Sequence, residues 1–308
     1  MKSEMSDRRI VRSCPGDKYS GQALIDYLSS RFDYKTRNEW ADIIKTGQFS
    51  VNGNVASPES ILTAEARVEW HLPEDLPEPE VDAGFGILLQ DNDIIAVNKT
   101  GNLPTHPAGA YFHNTLWWML RKKFGEVYPV NRLDRETSGV VLFARSPEMA
   151  AKLQNNMPDM EKVYILLAEG KFPEYEVTVH GWMRRDTTSA VRKKQMLCDM
   201  PCGKEAVTVL RLLEYRDGIS KLEARPLTGR MHQIRLAAYS MGFPVVGDKL
   251  YGVDENFFIR QKDGLLEGDF IRLRMKRQAL HASVLSFIHP VSGEKITLTA
   301  PLPDDFIF

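Results

Sequence analysis

A proline-rich acidic stretch divides the sequence into two parts. Residues 73–82 read PEDLPEPEVD and contain three prolines and five acidic residues. Proline lacks an amide hydrogen and distorts both helices and central strands, so we predict a linker over residues 73–83. This linker would separate an N-terminal arm (1–13) and a small domain (14–72) from a larger domain (84–308).

The bulk properties of the chain narrow the class of protein. With 308 residues it can bury a core without covalent staples. It has no apolar run of ~18 residues and no apolar segment typical of a secretory signal, so we expect neither a membrane span nor export. Its three cysteines (Cys14, Cys198 and Cys202) include no Cys-x-x-Cys pair, which argues against disulfides and against a zinc site. We therefore expect a cytoplasmic monomer in a reducing compartment.

Positive charge is concentrated in two runs, although the formal net charge of the whole chain is only −1. The runs are RRDTTSAVRKK (184–194) and RLRMKR (272–277), and we interpret both as exposed loops. Such runs either hold a polyanion or are simply solvated faces of the protein. The basic residues in question are Arg184, Arg185, Arg192, Lys193, Lys194, Arg272, Arg274, Lys276 and Arg277.

The small domain shows the order helix, helix, short strands. TRNE at 36–39 is a capping box that opens the second helix, and Asn52-Gly53 marks a hairpin turn. This α/β order resembles the alpha-L RNA-binding motif. Its residues 20–70 hold five Lys/Arg against seven Asp/Glu, a net charge of −2 that suits phosphate poorly. A degenerate packing domain therefore stays open as an alternative.

The larger domain alternates strand-like and helix-like segments. DIIAVNK, GVVLFAR, KVYILLAEG and YEVTVHGWM are typical of strands, while NTLWWMLRKKFG and SPEMAAKLQNN are typical of helices. Asp217-Gly218 and Ser292-Gly293 each separate two strand-like runs and predict hairpins. Frequent hairpins favour an α+β fold with a mostly antiparallel sheet flanked by helices.

One acidic residue stands between two arginines. Asp134 lies in VNRLDRETSGVVLFAR (130–145), with Arg132 and Arg135 on either side. Nearby positive charge favours the ionised carboxylate, which is the form that a nucleophile requires and a general acid does not. The residues alone leave open a second interpretation, a solvated loop of ion pairs.

Two other segments carry unusual polar residues. Residues 222–252 place Arg230, His232 and Arg235 around the start of a predicted helix, where the helix dipole disfavours cations, so we expect an anion nearby. Tyr164 lies on an otherwise apolar strand, where a tyrosine serves either as a core residue or as a catalytic one.

In this order, the segments around Asp134, Tyr164 and Arg235 resemble the RluA-type pseudouridine synthases. The shared pattern is Arg-Leu-Asp followed by Thr-Ser-Gly, then a Lys-x-Tyr strand, then Thr-Gly-Arg-x-His-Gln-hydrophobic-Arg. IIAVNKTGNLPTHPAG (94–109) resembles the strand and loop that open the family's catalytic domain. The resemblance extends over essentially all of residues 85–300.

The resemblance implies roles for individual residues. Asp134 would attack the nucleotide, Arg235 would pair with Asp134, and Tyr164 would stack on the target base and is a candidate for a proton relay. Four further residues would position the backbone and the base: Arg132, Arg230, His232 and Gln233. Asn131 and Thr100 depart from the residues usual in the family (histidine and proline), which bears on the subfamily and not on the nucleophile.

The resemblance also implies the pseudouridine synthase fold and an isomerase that needs no cofactor and no metal. Its substrate would be structured RNA: large-subunit ribosomal RNA in view of the alpha-L-like domain, with transfer RNA as the alternative. A non-catalytic RNA-binding or ribosome-assembly factor is disfavoured by the intact catalytic set. A glycoside hydrolase built on Asp134 and Glu136 is disfavoured because carboxylates so close in sequence rarely oppose each other. The sequence identifies neither the target uridine nor the route of attack.

Overall fold

The computed structural model describes residues 10–32, 35–73, 76–173, 175–261, 264–306 and 308. The chain forms two compact units, Met1–Pro77 and Glu78–Phe308. Most of the predicted N-terminal arm lies outside the described residues. No helix in the described ranges is long and apolar enough to cross a membrane.

The first unit is a small sheet with two helices. Its elements are β1 (Ile10–Ser13), α1 (Leu24–Arg31), α2 (Arg37–Ile43), β2 (Phe49–Val51), β3 (Asn54–Val55) and β4 (Val68–His71). The predicted capping box is confirmed, because Thr36 and Glu39 each accept from the other's backbone N–H. The sheet order is β1-β4-β2-β3. The end of the predicted arm is therefore a strand, paired antiparallel with β4, and Arg12 bonds Glu69 across the pair at 2.8 Å.

The second unit is built on an eleven-stranded mixed sheet. Its elements are β5 (Phe85–Gln90), β6 (Ile94–Lys99), α3 (Leu116–Phe124), β7 (Tyr128–Pro129), β8 (Ser138–Ala144), α4 (Pro147–Asn155), β9 (Glu161–Glu169), β10 (Val177–Arg185), β11 (Gln195–Cys198), β12 (Lys204–Arg216), β13 (Ile219–Pro226), α5 (Gln233–Ser240), α6 (Asn256–Arg260), α7 (Glu267–Leu273), β14 (Leu280–Ile288) and β15 (Lys295–Thr299). The main order is β11-β10-β12-β13-β9-β14-β8-β6-β5, with β15 on β14 and β7 on β8. Among the described strands only the pairing of β14 with β8 is parallel, so the predicted α+β class is confirmed.

Helices pack on both faces of the central strands. Because successive side chains of a strand point to opposite faces, adjacent residues pack against different helices. Ile95 of β6 packs in a cluster with Leu120 of α3, whereas the adjacent Ile94 packs in another cluster with Leu153 of α4. Ser146 caps the start of α4, since its hydroxyl accepts the Met149 N–H at 3.1 Å.

The parallel pairing of β8 with β14 requires a glycine. Gly139 has φ 112°, and a Cβ there would lie 2.2 Å from the carbonyl oxygen of Ala282. Only glycine accommodates both the positive φ and this close approach. The pairing brings the residues just before the two strands, Thr137 and Gln278, next to each other.

Two expectations from the sequence are wrong. Arg184 and Arg185 are not in a loop, because β10 continues through them and pairs with β11, and Arg272 lies within α7. Cys198 and Cys202 form a disulfide, because the chain turns back after β11 and brings the two residues together.

The division into two units predicts that the larger one folds alone. Glu78 should be retained, because its carboxylate accepts the backbone N–H groups of Phe112, His113 and Asn114 at 2.8–2.9 Å. We expect a chain beginning at Glu78 to keep a cooperative thermal transition, and one beginning at Ala83 to melt earlier. Circular dichroism checks this. Insolubility of the longer chain would mean that the first unit belongs to the core.

Candidate active site

Asp134 lies in the loop that leads into β8, and local hydrogen bonds fix this loop. The Asp134 carbonyl accepts from the Thr137 N–H at 3.1 Å. Asn131 bonds β8 twice: its amide donates to the Val140 carbonyl at 3.2 Å and accepts from the Leu142 N–H at 2.7 Å. These hydrogen bonds attach the loop to β8, a fully buried strand, and so fix the position of the Asp134 carboxylate.

A buried lysine, Lys99, donates a hydrogen bond to the loop that carries Asp134. Lys99, at the end of β6, is completely buried, and its ammonium donates to three carbonyls: Thr100 at 2.7 Å, Leu103 at 2.8 Å and Arg135 at 3.1 Å. Burial, together with the charge of Arg277, lowers the pKa of Lys99 to about 7. Its three carbonyl contacts hold the segment 100–103 and the loop that contains Arg135 against the end of β6.

Arg235 joins two carboxylates. Its Nη1 donates to Asp134 Oδ2 at 2.7 Å, while Nε and Nη2 form a bidentate pair with Asp248 at 2.6 and 2.8 Å. Asp248 is fully buried and also accepts the N–H groups of Leu250 and Tyr251 at 2.8 and 2.9 Å. Asp248 thus fixes the orientation of the guanidinium, and Nη1 is already directed at Asp134.

The Asp134 carboxylate is held in its ionised form. Burial opposes ionisation, but the charge of Arg235, assisted by hydrogen bonds, lowers the pKa of Asp134 to about 2. The Asp134 side chain nevertheless stays 30% exposed, whereas that of Arg235 is 8% exposed. The carboxylate is therefore both charged and reachable, as a nucleophile must be.

Three other side chains surround the carboxylate. Gln278 donates to Asp134 Oδ2 at 3.4 Å and to Thr137 Oγ1 at 2.6 Å. His232 Nε2 lies 3.9 Å from Asp134 Oδ1. Tyr164, opposite Ala282 in the sheet, makes no hydrogen bond through its hydroxyl with any described residue, and burial and the charge of Asp134 raise its pKa to about 12. Tyr164 is therefore a neutral phenol, influenced by the Asp134 charge, whose hydroxyl bonds no described residue.

Comparison with known proteins accords with this geometry. Residues 93–239 match the family model described as RNA pseudouridylate synthase. A Xanthomonas campestris protein named ribosomal large subunit pseudouridine synthase D is 29% identical, over 98% of this chain and 92% of the relative. The chain belongs to the RNA pseudouridine synthase family.

Other members of the pseudouridine synthase family match the chain in part. The mouse (Mus musculus) pseudouridylate synthase RPUSD2 is 30% identical over 77% of this chain, and the chain spans only 43% of its length. A Saccharomyces cerevisiae protein named tRNA pseudouridine(31) synthase is 27% identical over 76% of this chain and 68% of its own length. The solved structure of human RNA pseudouridylate synthase domain containing 1 superposes with a TM-score of 0.58 at 27% identity, covering 74% of this chain and 87% of that one.

Within this pseudouridine synthase fold, the four residues predicted to position backbone and base differ in their surroundings. Gln233 is committed to the protein: its amide donates to Val207 and Thr208 and accepts from Thr228 and the Arg230 N–H, all within 3.0 Å. Gln233 therefore anchors the start of α5. Arg230 and Arg132 are exposed, with Arg230 bonded to the Glu205 carbonyl and Arg132 to His106.

The nine basic residues predicted to contact an RNA backbone divide into three groups. Three are paired with carboxylates of the protein: Lys194 pairs with Glu255 at 2.6 Å, Arg277 is bidentate with Asp305 at 2.6 Å, and Arg274 lies 3.5 Å from Glu169. Two stack on rings, Lys193 over Phe258 and Arg272 over Phe257. The side chains of the remaining four, Arg184, Arg185, Arg192 and Lys276, make no hydrogen bond, ion pair or ring contact with described residues.

A cleft of about 610 Å³ borders the loop after Asp134. It is lined by four cations (Arg135, Lys249, Lys276 and Arg277) and four acids (Asp82, Glu136, Asp304 and Asp305). Glu136 itself accepts from Lys249 through both oxygens at 2.9 Å. The four cations and four acids leave this cleft without net formal charge, and the Glu136 carboxylate is already paired with the Lys249 ammonium.

One group in the described part of the chain has the residue types of a metal site: Asp91, Asp93 and His289. The Nδ1 atom of His289 accepts the N–H groups of Val291 and Ser292 at 3.3 and 3.2 Å. The Nε2 atom of His289 lies 3.5 Å from Asp91 Oδ2 and makes no hydrogen bond with a described residue.

Four residues that build the site were not singled out in the sequence: Lys99, Asp248, Tyr251 and Gln278. Asp248 and Tyr251 belong to the sequence GDKLYG, whose only local signal is a turn between two glycines. Gln278 follows a basic run that draws attention to charge instead. Their roles depend on contacts with residues more than ten positions away, which no local pattern reveals.

Proposed function

We propose that this chain converts uridine to pseudouridine in structured RNA, with Asp134 as the nucleophile. The observation that carries the proposal is an ionised, partly exposed Asp134 held by Arg235, beside a neutral Tyr164, in a member of the pseudouridine synthase family. Arg235 keeps the carboxylate charged and directs it, while Tyr164 offers a ring for stacking and a hydroxyl that can carry a proton.

The reaction is an isomerisation. The bond from ribose C1′ to uracil N1 breaks, a bond from C1′ to C5 forms, and the C5 proton is lost while N1 gains one. The base must leave its stack, at a cost of a few kcal/mol, and stacking on an aromatic ring returns about 1–3 kcal/mol. Exclusion of water retains the detached base while it rotates. Asp134 either attacks C1′ or removes a sugar proton to give a glycal, and both routes require its charged form.

We propose large-subunit ribosomal RNA as the substrate. The Xanthomonas campestris relative, whose name specifies that RNA, aligns with nearly the whole chain, including the first unit. Transfer RNA is the second candidate, favoured by the yeast relative named for a transfer RNA position.

The test is a map of pseudouridine in total cellular RNA, made with and without the gene. The purified protein is then incubated with ribosomal and transfer RNA that lack modifications. We expect a site that disappears from large-subunit RNA and is restored in vitro. A site in transfer RNA would correct the substrate, and the absence of any affected uridine would overturn the reaction.

We predict that the unpaired arginines at the end of β10 and in the turn before β11 supply phosphate contacts. Arg184, Arg185 and Arg192 are exposed and unpaired among the described residues. Changing all three to Gln should weaken RNA binding and reduce the slope of log affinity against log salt by about 0.7–0.9 for each phosphate that the variant no longer neutralises. Turnover of bound RNA should be little changed. Fluorescence titrations over a salt series measure both the affinity and the slope.

The control for these arginines changes Lys152, Arg216 and Lys295, which are also exposed; Arg216 forms an ion pair only with the exposed Asp217. It removes the same formal charge, so it separates a local contact from the effect of overall charge. Equal salt slopes for the two triple variants would mean that RNA is held elsewhere.

A further inference from the structure

The hydroxyl of Tyr251 lies between His232 and the basic hairpin, which is formed by β10, β11 and the turn 186–194. Tyr251 is fully buried, and its Oη accepts the Gln195 N–H at 2.9 Å and lies 3.1 Å from His232 Nδ1. The ring is fixed as well, because the Arg235 guanidinium stacks 5.1 Å from its centroid. Three contacts thus connect the end of the hairpin to the nucleophile: Gln195 to Tyr251, Tyr251 to His232, and His232 to Asp134.

The direction of the bond between Tyr251 and His232 follows from counting protons. Burial raises the pKa of Tyr251 to about 12, so the phenol keeps its single hydrogen. Gln195 already donates to the oxygen, and His232 Nδ1 is the acceptor that the described residues offer to the phenol. If Nδ1 carried a hydrogen instead, the buried phenol O–H would be left without a partner, at a cost of about 1–3 kcal/mol. The phenol therefore donates and Nδ1 accepts.

The same bond determines where His232 carries its own hydrogen. Burial, together with the charge of Arg235, lowers the pKa of His232 to about 4, so the ring is neutral near pH 7. A neutral imidazole that accepts at Nδ1 has its hydrogen on Nε2. Nε2 is the atom 3.9 Å from Asp134 Oδ1, a separation too long for a hydrogen bond between the two.

We propose that Tyr251 is a positioning residue that fixes His232 in the Nε2–H tautomer, so that His232 donates a hydrogen bond to an oxygen of the nucleotide bound at Asp134. This inference rests on the proposed function and adds a donor to the reacting nucleotide. Tyr251 itself acts only through His232.

The hydrogen bond from the Gln195 N–H to the Tyr251 phenol oxygen is held in place by contacts of a neighbouring residue. Glu255, four residues after Tyr251, accepts from Lys194 at 2.6 Å and from Ser189 at 2.9 Å. These bonds hold the hairpin against the segment that carries Tyr251, so the Gln195 N–H stays aligned with the phenol oxygen. The tautomer is therefore set before RNA binds.

The first test needs neither activity nor RNA. Nitrogen-15 NMR of the full-length protein, labelled at its seven histidines, distinguishes protonated from unprotonated ring nitrogens, and the variant His232→Gln assigns the resonance. We expect His232 to carry its hydrogen on Nε2 in the unaltered protein and to become a mixture of tautomers in Tyr251→Phe. An Nδ1–H tautomer in the unaltered protein would overturn the proposal.

The second test measures turnover. Tyr251→Phe retains the ring that packs on Arg235 and should lower kcat about tenfold, the effect of one neutral hydrogen bond, with KM unchanged. Tyr239→Phe is the matched control, because Tyr239 packs near Tyr251 but its hydroxyl bonds no described residue. Its kcat should stay unchanged.

A double variant shows whether Tyr251 acts through His232. In the His232→Gln background, Tyr251→Phe should cause no further loss of kcat, whereas independent effects would multiply. Multiplied losses would overturn the proposal. If the unaltered protein makes no pseudouridine, the proposed function fails, and the NMR result still decides the tautomer.

Discussion

Asp134→Asn is expected to reduce pseudouridine formation to below about 1% of the unaltered rate, since the amide keeps the shape of the carboxylate and loses its nucleophilic charge. The fold should survive, because Asp248 still holds Arg235 through two hydrogen bonds. RNA affinity should also be nearly unchanged, because the loss concerns the reacting atoms. Single-turnover assays with saturating protein separate this chemical step from binding.

Asp304→Asn is the control for this variant, because it removes one exposed carboxylate from the same unit. It should leave the rate unchanged. Residual activity of Asp134→Asn well above the expected level, with proof that the amide has not hydrolysed back to the acid, would exclude Asp134 as nucleophile.

The acid limb of the rate should also reflect the environment of Asp134. Its pKa of about 2 lies below the ordinary value of 3.8, so the carboxylate stays ionised until the pH falls toward 2. Between pH 5 and 7 the rate of the unaltered protein should therefore show no step that belongs to this group. His232, with a pKa of about 4, contributes no step there either.

The sequence predicts those parts of the fold that depend on local pattern. The capping box at Thr36 and the hairpin at Asp217-Gly218 form as expected, because turn and cap chemistry is encoded by adjacent residues. The proximity of Asp134 and Arg235, 101 positions apart, was expected only through resemblance to a family. No local pattern would have brought these two residues together.

Charge is the property for which the sequence is least informative. Arg277 and Lys194 were expected on an RNA-binding surface, yet each is committed to a carboxylate of the protein, Asp305 or Glu255. The sequence around a basic residue does not reveal its partner, because in the fold that partner is supplied by another segment. The same reasoning explains why the role of Asp248 was not predicted.

Asp248→Ala is expected to have the largest effect on stability. Asp248 is fully buried, and its carboxylate receives two hydrogen bonds from Arg235 and two from backbone N–H groups. Removing it leaves a buried guanidinium that only the partly exposed Asp134 can balance. Breaking a buried ion pair in this way costs about 3–5 kcal/mol, and urea unfolding followed by circular dichroism measures the change.

The pH dependence of that loss distinguishes an ion pair from a packing defect. Arg235 and the backbone hydrogen bonds overcome the cost of burial and hold the pKa of Asp248 below its ordinary value of 3.8. A depressed carboxylate pKa contributes stability that is fully present above the unfolded value and is lost as the pH falls through the folded value. The difference in unfolding free energy between the unaltered protein and Asp248→Ala should therefore be constant near neutral pH and shrink below about pH 4. Asp217→Asn, which removes the charge that pairs with Arg216 on the surface, is the control and should not shift the midpoint measurably. A loss that does not vary with pH would assign the effect of Asp248 to packing instead of charge.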